Sequence, residues 1–173
     1  MTAVANTVFT STQWNTHVRD NLNATMTGTA AAAGDWFVSS AANTIVRRIP
    51  AAANVTTAQT TTSTSYTNLT TTGPAVTITT GTSALVMFGA AMSSNTTDAA
   101  CFMSVDVSSA TTIAANDDWG TWMDGVPASN TVHMGMAKLF TNLTAGSNVF
   151  TAKYRTSTGT ATFSNRHLMV IPF

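Results

Sequence analysis

The sequence predicts an all-β protein: an antiparallel β-sandwich, of jelly-roll or immunoglobulin-like topology, with a short N-terminal helix and an extended arm. Residues 143–173 alternate apolar and polar side chains between turn residues, as a closing β-hairpin with one buried face does. Threonine fills about one position in five, and its branched Cβ suits half-exposed strands. The chain is 8% charged and 44% hydrophobic, which is not the composition of a disordered protein.

Residues 9–26 carry the helical pattern. Thr10 followed by Gln13 predicts a capping box, preceded by an aromatic residue that forms a hydrophobic staple with the fourth helical position. An apolar stripe of one residue in four then faces a polar side, and so narrow a stripe needs a partner to bury it. The stripe either packs against its own domain or serves in docking or oligomerisation. The predicted docking or oligomerisation residues are Phe9, Trp14, Val18, Arg19, Leu22 and Met26.

A Gly/Ala-rich linker at 27–35 follows the helix, and 36–50 predicts one or two strands or an extended arm. Apolar–polar alternation is continuous from Ala51 onward. The sequence therefore predicts two parts, a docking helix with its linker and arm at 1–50 and the β-sandwich at 51–173.

Turn residues divide the second part into short segments of strand character. Eight or so short strands of this kind are typical of a sandwich. The predicted strands are 54–60, 65–72, 75–80, 83–93, 100–108, 110–115, 130–140, 148–156 and 160–172.

Charge and hydropathy exclude two classes of partner. The net charge is zero and the largest basic cluster is Arg47-Arg48, whereas a nucleic-acid binder needs a basic stripe. The longest apolar stretch, 84–92, is too short to span a bilayer, and the N-terminus lacks a basic signal region. We therefore expect no nucleic acid, no membrane insertion and synthesis in a cytoplasm. Cys101, the single cysteine, is expected to be a small buried hydrophobic residue.

Catalytic and cofactor patterns do not occur in the sequence. His17, His133 and His167 lack metal-ligand spacing, no Gly-x-Ser-x-Gly elbow occurs, and the glycines form no phosphate-binding pattern. We expect structural histidines, no cofactor, no metal and no enzymatic activity.

Two stretches resemble a known group of proteins. The run Asn15-Thr-His-Val-Arg-Asp-Asn-Leu22, with the aromatic and threonine residues before it, resembles the N-terminal segment of small virion proteins from tailed phages and prophages of Actinobacteria. The run from Tyr66 to Val86, together with the C-terminal stretch, is similar to the β domain that follows in the same proteins, which are described as tail-fibre-like or minor structural.

The resemblance implies a non-enzymatic, homotrimeric virion protein whose N-terminal part anchors it to other capsid or tail proteins. Tail fibre, minor tail protein and capsid surface appendage all agree with it. The chain has no shaft of repeats between helix and sandwich, which favours a head decoration, collar or tail-tip position.

The segment 116–125 is the candidate ligand-binding loop, because it gathers carboxylates and indoles in a chain that has few of either. Indoles stack on sugar rings and carboxylates accept hydroxyl protons, so a host cell-surface glycan is a chemically reasonable ligand and a glycan-binding adhesin is the alternative function. The same composition also suits a site for a hard cation such as Ca²⁺, or a loop that caps the core or a subunit interface. The candidate residues are Asp117, Asp118, Trp119, Trp122 and Asp124.

Positive charges in the last third of the chain concentrate on the closing hairpin, at Lys153, Arg155 and Arg166. A solvated strand face is the first interpretation. The second is that Arg155 or Arg166 pairs with the acidic loop across a subunit interface.

Overall fold

A computed structural model of the protein describes residues 8, 10–20, 33–42 and 44–173. The chain divides into two compact units, Met1–Arg47 and Arg48–Phe173, which are described separately. No helix in the described part of the chain is long and apolar enough to cross a membrane.

The first unit contains a capped helical segment. An α-helical turn, α1 (Ser11–Trp14), continues as a π-helical turn over Asn15–Arg19. The predicted capping box is present: the Gln13 backbone N–H donates to Thr10 Oγ1 at 3.2 Å, and the Thr10 N–H donates to Gln13 Oε1 at 3.0 Å. The remainder of the predicted helix, 21–26, and its staple residue Phe9 lie outside the described residues.

Two paired strands follow in the predicted arm, β1 (Trp36–Ala41) and β2 (Thr44–Arg48). Arg47 Nε contacts Asp35 Oδ1 at 2.6 Å. Trp36 and Ile45 are each 45% exposed, so this small sheet presents large apolar side chains on its surface.

The second unit is an antiparallel β-sandwich, as predicted. Alternation of buried and exposed residues runs along its longer strands, because one face of each sheet meets the core and the other does not. The strands are β3 (Ala51–Val55), β4 (Gln59–Thr61), β5 (Ala75–Thr80), β6 (Ala84–Ser94), β7 (Cys101–Ser109), β8 (Thr121–Met123), β9 (Val132–Phe140), β10 (Gly146–Thr156) and β11 (Ala161–Pro172).

Strand pairing identifies the topology as a jelly roll. One sheet has the order β5-β10-β7-β8, and the other has β3-β11-β6-β9, with β4 also pairing with β11. Strands β3 and β4 thus pair with β11, β5 pairs with β10, β6 with β9 and β7 with β8. A long hairpin folded over on itself gives this pattern, which is the first of the two predicted topologies.

The core lies between the two sheets. Aromatic and aliphatic side chains from both sheets fill it, among them Phe88, Phe150, Tyr154 and Phe163, all under 2% exposed. The predicted burial of Cys101 is confirmed: it is fully buried, its Sγ lies 3.4 Å from the Ser93 carbonyl oxygen, and burial raises its thiol pKa to about 11.

Three predicted strands differ from the structure. Residues 65–72 contribute one isolated bridge, Thr67 to Tyr154, and 110–115 contribute one, Ile113 to Val107. Residues 54–60 are divided between the ends of β3 and β4. Alternating threonines give connections the same sequence pattern as strands. Whether such a segment forms a strand depends on the strands available to pair with it. Strand β8 was not predicted; it is only three residues long and lies inside the candidate loop.

Arg166 is fully buried, so the interpretation of a solvated strand face is wrong for this residue. A bulge in β11 between Ser164 and His167 reverses the usual alternation and directs the guanidinium inward. Its Nη1 donates to the Gly73 carbonyl at 3.0 Å and its Nη2 to Gln59 Oε1 at 3.1 Å, while the guanidinium carbon lies 5.4 Å from the Tyr154 ring centroid. Arg166 therefore ties the connection between β4 and β5 to the last strand.

Candidate functional site

The candidate loop begins with a side-chain cap. Asn116 Oδ1 accepts from the Asp118 N–H at 2.9 Å and starts a 3₁₀ turn over Asp117–Trp119. Gly120 closes the turn by donating to the Asp117 carbonyl at 3.0 Å, and β8 follows at once. The loop is therefore an ordered edge of the β5-β10-β7-β8 sheet.

The two indoles of the loop have different surroundings. Trp119 is half-buried against the core, its Nε1 donates to the Val105 carbonyl at 3.3 Å, and its ring meets Phe140 edge-on at 6.1 Å. Trp122 is 50% exposed, with Phe102 as its aromatic neighbour at 6.4 Å. Trp119 therefore caps the core, whereas Trp122 presents its indole to solvent.

The three aspartates of the loop do not form a cation site. Asp124 Oδ1 accepts from the Gly125 N–H at 2.8 Å, and Asp118 is exposed, whereas Asp117 is held by residues outside the loop. Within the described residues, no three His, Cys, Asp or Glu side chains are close enough together to hold a metal ion. The Ca²⁺ interpretation therefore has no structural support.

Asp117 is bound by Arg155 and Tyr66. Arg155 donates from Nε at 3.1 Å and from Nη2 at 2.6 Å to the two carboxylate oxygens, and the Tyr66 hydroxyl donates to Oδ1 at 2.8 Å. The Arg155 hydrogen bonds hold the pKa of Asp117 below its ordinary value. Burial and the Asp117 contact raise the pKa of the Tyr66 hydroxyl, which keeps it a neutral donor. Arg155 thus pairs with the acidic loop within one subunit, rather than lying on a solvated strand face.

A second ion pair lies beside the first. Lys153 Nζ lies 3.2 Å from Asp106 Oδ2 and donates to Asn68 Oδ1 at 2.7 Å. Both cations project from the outer side of β10, and Asp106 projects from the outer side of the adjacent β7. The two pairs line one open cleft of about 600 Å³, which we call the polar cleft (Tyr66, Asp106, Asp117, Lys153 and Arg155).

A second cleft adjoins the polar cleft at the open edge of the sandwich. It has a volume of about 580 Å³ and is lined by Phe102, Trp122 and Met136, with Asp117 common to both clefts. The Arg155 guanidinium carbon lies 3.5 Å from the Phe102 ring centroid, a cation–π contact between the two clefts. We call Phe102 and Trp122 the aromatic ledge.

The structure therefore relocates the candidate ligand site. Of the predicted loop residues, it places Asp117, Asp118 and Trp122 on these two clefts, Trp119 on a separate cleft of about 370 Å³, and Asp124 on none of the three. Tyr66 and Asp106 were not predicted, and Lys153 was predicted only as part of a solvated strand face. Their sequence signal is weak: Asp106 and Lys153 are outward positions in alternating strands, but only the pairing of β7 with β10 brings them together.

The outer face of the other sheet has a different composition. Cross-strand partners on it include Leu85 with Leu139 and Met87 with Met169. Leu139 is 49% exposed and Met169 36% exposed. The face is defined by Leu85, Met87, Ala137, Leu139, Met169 and Ile171, and we call it the apolar face.

Charge is missing from this side of the sandwich. On β3, β11, β6 and β9, which all lie in the described range 44–173, no outward-facing residue is Lys, Arg, Asp or Glu. Beyond the apolar face the sheet carries the glycines Gly89 and Gly135 opposite each other, with the rings of His133 and His167 5.9 Å apart. A Cβ on Gly89 would lie 2.5 Å from the Met134 carbonyl oxygen, so the strands here approach closely because side chains are lacking.

The predicted docking residues are described only in part. Trp14 is 57% exposed, Val18 is half-buried, and Arg19 contacts its neighbour Asp20 at 2.9 Å. Phe9, Leu22 and Met26 lie outside the described residues. The role of this stripe stays a prediction.

No protein-family model matches the chain, and no curated protein matches it in sequence. Among solved structures, it is similar to the Eiger TNF of S. frugiperda, with 8% identity and a TM-score of 0.47 over 72% of this chain and 92% of that one. It is also similar to the VP2 subviral particle protein of infectious bursal disease virus, with 12% identity and a TM-score of 0.48 over 77% of this chain and 36% of that one. The Gx strain structure of the same virus gives 10% identity and a TM-score of 0.48 over 73% and 35%. The chain thus spans about a third of the length of these viral proteins, and at these scores the likeness carries no conclusion about function.

Proposed function

We propose that the protein is a non-enzymatic structural component of a phage virion that self-associates through the apolar face. The observation that carries the proposal is this uncharged sheet surface, on which leucine, methionine and isoleucine side chains lie opposite one another across three strands. The sequence resemblance to small virion proteins of tailed phages supplies the biological setting.

An exposed sheet face of this composition is best explained by a partner. Single apolar residues scattered over a protein surface are ordinary, whereas a contiguous apolar patch marks an interaction site. The centres of protein interfaces are also depleted in charged residues. The apolar face has both properties, whereas the outer face of the opposite sheet carries Asp106, Lys153 and Arg155. A second copy of this chain is the partner with matching chemistry, and the resemblance sets the expected number of copies at three.

The N-terminal unit is assigned to attachment. Its described part exposes large apolar side chains, Trp14 at 57%, Trp36 at 45% and Ile45 at 45%, which a capsid or tail protein would cover. The capping box fixes where the helix starts without requiring contacts from the sandwich. The sandwich then projects from, or clamps onto, the particle as a head decoration, collar or tail-fibre-like piece.

Mass measurement by light scattering separates self-association from attachment. The full chain and a chain lacking residues 1–26 are both expected to run as trimers, because the interface lies in the sandwich. The truncated chain is expected not to join particles when it replaces the full chain during phage growth.

Two results would contradict the proposal. Monomers of the truncated chain would make the helix the oligomerisation element instead of the apolar face. Normal incorporation of the truncated chain into particles would remove the attachment role of the N-terminal unit.

An adhesin that binds a host glycan remains the second candidate function. The observation that favours it is the exposure of Trp122 in the cleft that adjoins the polar cleft. Both functions are compatible in one molecule, since they use opposite faces of the sandwich.

A further inference from the structure

We infer that the polar cleft and the aromatic ledge together bind a neutral saccharide. The inference deepens the second candidate function, the glycan-binding adhesin, and does not rest on the proposed self-association, because it concerns the sheet opposite the apolar face. It also differs from the loop predicted by sequence, since Tyr66, Asp106, Lys153 and Arg155 carry it and only Asp117 and Trp122 come from that loop.

The size of the two clefts suits a short oligosaccharide. The polar cleft measures about 600 Å³ and the adjoining cleft about 580 Å³, both within the range of small-molecule sites. They meet at Asp117, so a ligand of two or three sugar units would have one ring in the polar cleft and the next beside Trp122.

The charge balance of the cleft favours a ligand without net charge. Arg155 is neutralised by Asp117, and Lys153 lies 3.2 Å from Asp106 Oδ2, so two cations face two carboxylates. An anionic ligand would compete with the carboxylates for the cations and a cationic one would compete with the cations, each at a cost in lost ion pairing. Hydroxyl groups avoid this competition because each one donates and accepts hydrogen bonds at once.

Asp106 and Arg155 each keep hydrogen-bonding capacity that the protein does not use. Asp106 Oδ1 is buried and, within the described part of the chain, has no hydrogen-bond partner, although Oδ2 faces Lys153. A carboxylate oxygen without a donor is unfavourable where water does not reach it, and rotation of the Asp106 side chain towards the polar cleft would let a ligand hydroxyl donate to it. The hydrogen bonds of Arg155 to Asp117 use Nε and Nη2, which leaves Nη1 as a donor towards a neighbouring hydroxyl.

The aromatic ledge supplies the apolar contact that sugar rings require. Trp122 is 50% exposed and lies at an interplanar angle of 31° to Phe102. The Arg155 guanidinium covers one face of the Phe102 ring at 3.5 Å, so the Trp122 indole offers the exposed apolar face of the ledge. An indole combines an apolar face with a polar edge, which matches a sugar ring whose C–H groups lie on one face and hydroxyls around its rim. Met136 on β9 completes the lining with a flexible side chain.

The polar groups are held in place before any ligand binds. Lys153 and Arg155 share one strand, Arg155 lies opposite Phe102 on β7, and Phe102 lies opposite Trp122 on β8. Hydrogen bonds from Arg155 and Tyr66 fix the Asp117 carboxylate. Since sheet strands and mutual hydrogen bonds already order these side chains, binding loses little further conformational entropy.

The test uses the full chain on immobilised neutral oligosaccharides of hexose and N-acetylhexosamine units, with sialylated and sulfated oligosaccharides of the same length beside them. Titration calorimetry then measures affinity for the free form of the strongest neutral binder. Three variants are compared with the wild type: D106N, W122A and the control D98N, which changes an exposed aspartate that lines neither cleft.

We expect neutral oligosaccharides to bind the wild type and D98N equally. D106N and W122A are expected to bind roughly tenfold or more weakly, because each removes a main polar or apolar contact. Absence of neutral glycan binding by the wild type, preference for sialylated or sulfated glycans, or equal binding by all variants would each overturn the inference. Light scattering on the same samples keeps the two proposals apart, since a wild-type oligomer that binds no neutral glycan contradicts only this one.

Discussion

The outer faces of the two sheets use strands of similar length and the same alternation, yet they present opposite surfaces. On the β3-β11-β6-β9 sheet the outward side chains carry no charge, and Leu139 and Met169 remain exposed. On the β5-β10-β7-β8 sheet, outward positions hold Asp106, Lys153 and Arg155 beside two aromatic rings. The chain contains only seven basic and seven acidic residues, so this placement distinguishes the two faces strongly.

One jelly roll can therefore offer surfaces for two kinds of contact. A wide surface without charge suits a protein partner of the same chemistry, because little desolvation opposes its burial. A concave surface with paired charges suits a small polar ligand, because its groups are already oriented. The core between the sheets supports both, and changes in the core should therefore affect both faces together.

Replacing Arg166 tests this shared support and should have the largest effect. R166M removes the hydrogen bonds to Gly73 and Gln59 and leaves buried acceptors without a donor, so we expect a loss of about 3 kcal/mol or more in the free energy of unfolding. Urea unfolding measures it. R155M is the matched control on the polar cleft, where a partly exposed ion pair should contribute about 1 kcal/mol or less. Equal losses in the two variants would show that Arg166 does not support the core in this way.

The two loop tryptophans sharpen the distinction between core and surface. W119A should lower the free energy of unfolding by about 2–3 kcal/mol, because it removes a half-buried ring from Phe140 and a hydrogen bond to Val105. W122A should change it by less than about 1 kcal/mol, since that ring is half-exposed. Thermal or urea unfolding compares the pair. A greater loss from W122A would mean that the aromatic ledge is a structural contact and not a free surface.

The polar cleft should respond to acid while the apolar face does not, and this is the smallest effect. The pKa of Asp117 in the folded protein is held below its ordinary value of 3.8 by Arg155, so ionisation of Asp117 stabilises the fold above that value. This contribution is lost as the pH falls through the lowered pKa. Asp117 is half-exposed, so D117N should lower the Tm by about 2–4 °C at most at neutral pH and by progressively less in acid.

Thermal unfolding of the wild type and D117N across this pH range measures the difference. D124N is the control, because Asp124 contacts only its neighbour Gly125 among the described residues. A Tm difference between D117N and the wild type that stays constant into acid would contradict the assignment of the ion pair.

Alternation in the sequence was enough to predict the sandwich and most of its strands. The strand β5 matches its prediction, and β6, β7 and β9–β11 match within two residues, because every second side chain of each strand faces the core. The strand predicted at 65–72 is absent, because Thr-rich connections alternate apolar and polar residues as strands do. The jelly-roll topology depended on which strands pair, and a single sequence carries no record of pairing.

The sites were harder to predict for the same reason. Asp117 and Arg155 are separated by 38 positions and meet only because β8 and β10 both flank β7. In β6, inward and outward residues are both apolar, as Val86 and Met87 show, so the sequence could not indicate that one side of this strand remains exposed. The inward direction of Arg166 came from a bulge that shifts the period by one residue.

We propose that copies of the chain associate through the apolar face and not through the outer face of the opposite sheet. Light scattering on L139K and on T77K tests it directly, since both place a lysine at an exposed outward strand position, one on each sheet. We predict a monomer for L139K and an unchanged oligomer for T77K, with both variants folded by circular dichroism. An L139K protein that retains the wild-type mass, or a T77K protein that becomes monomeric, would contradict the account.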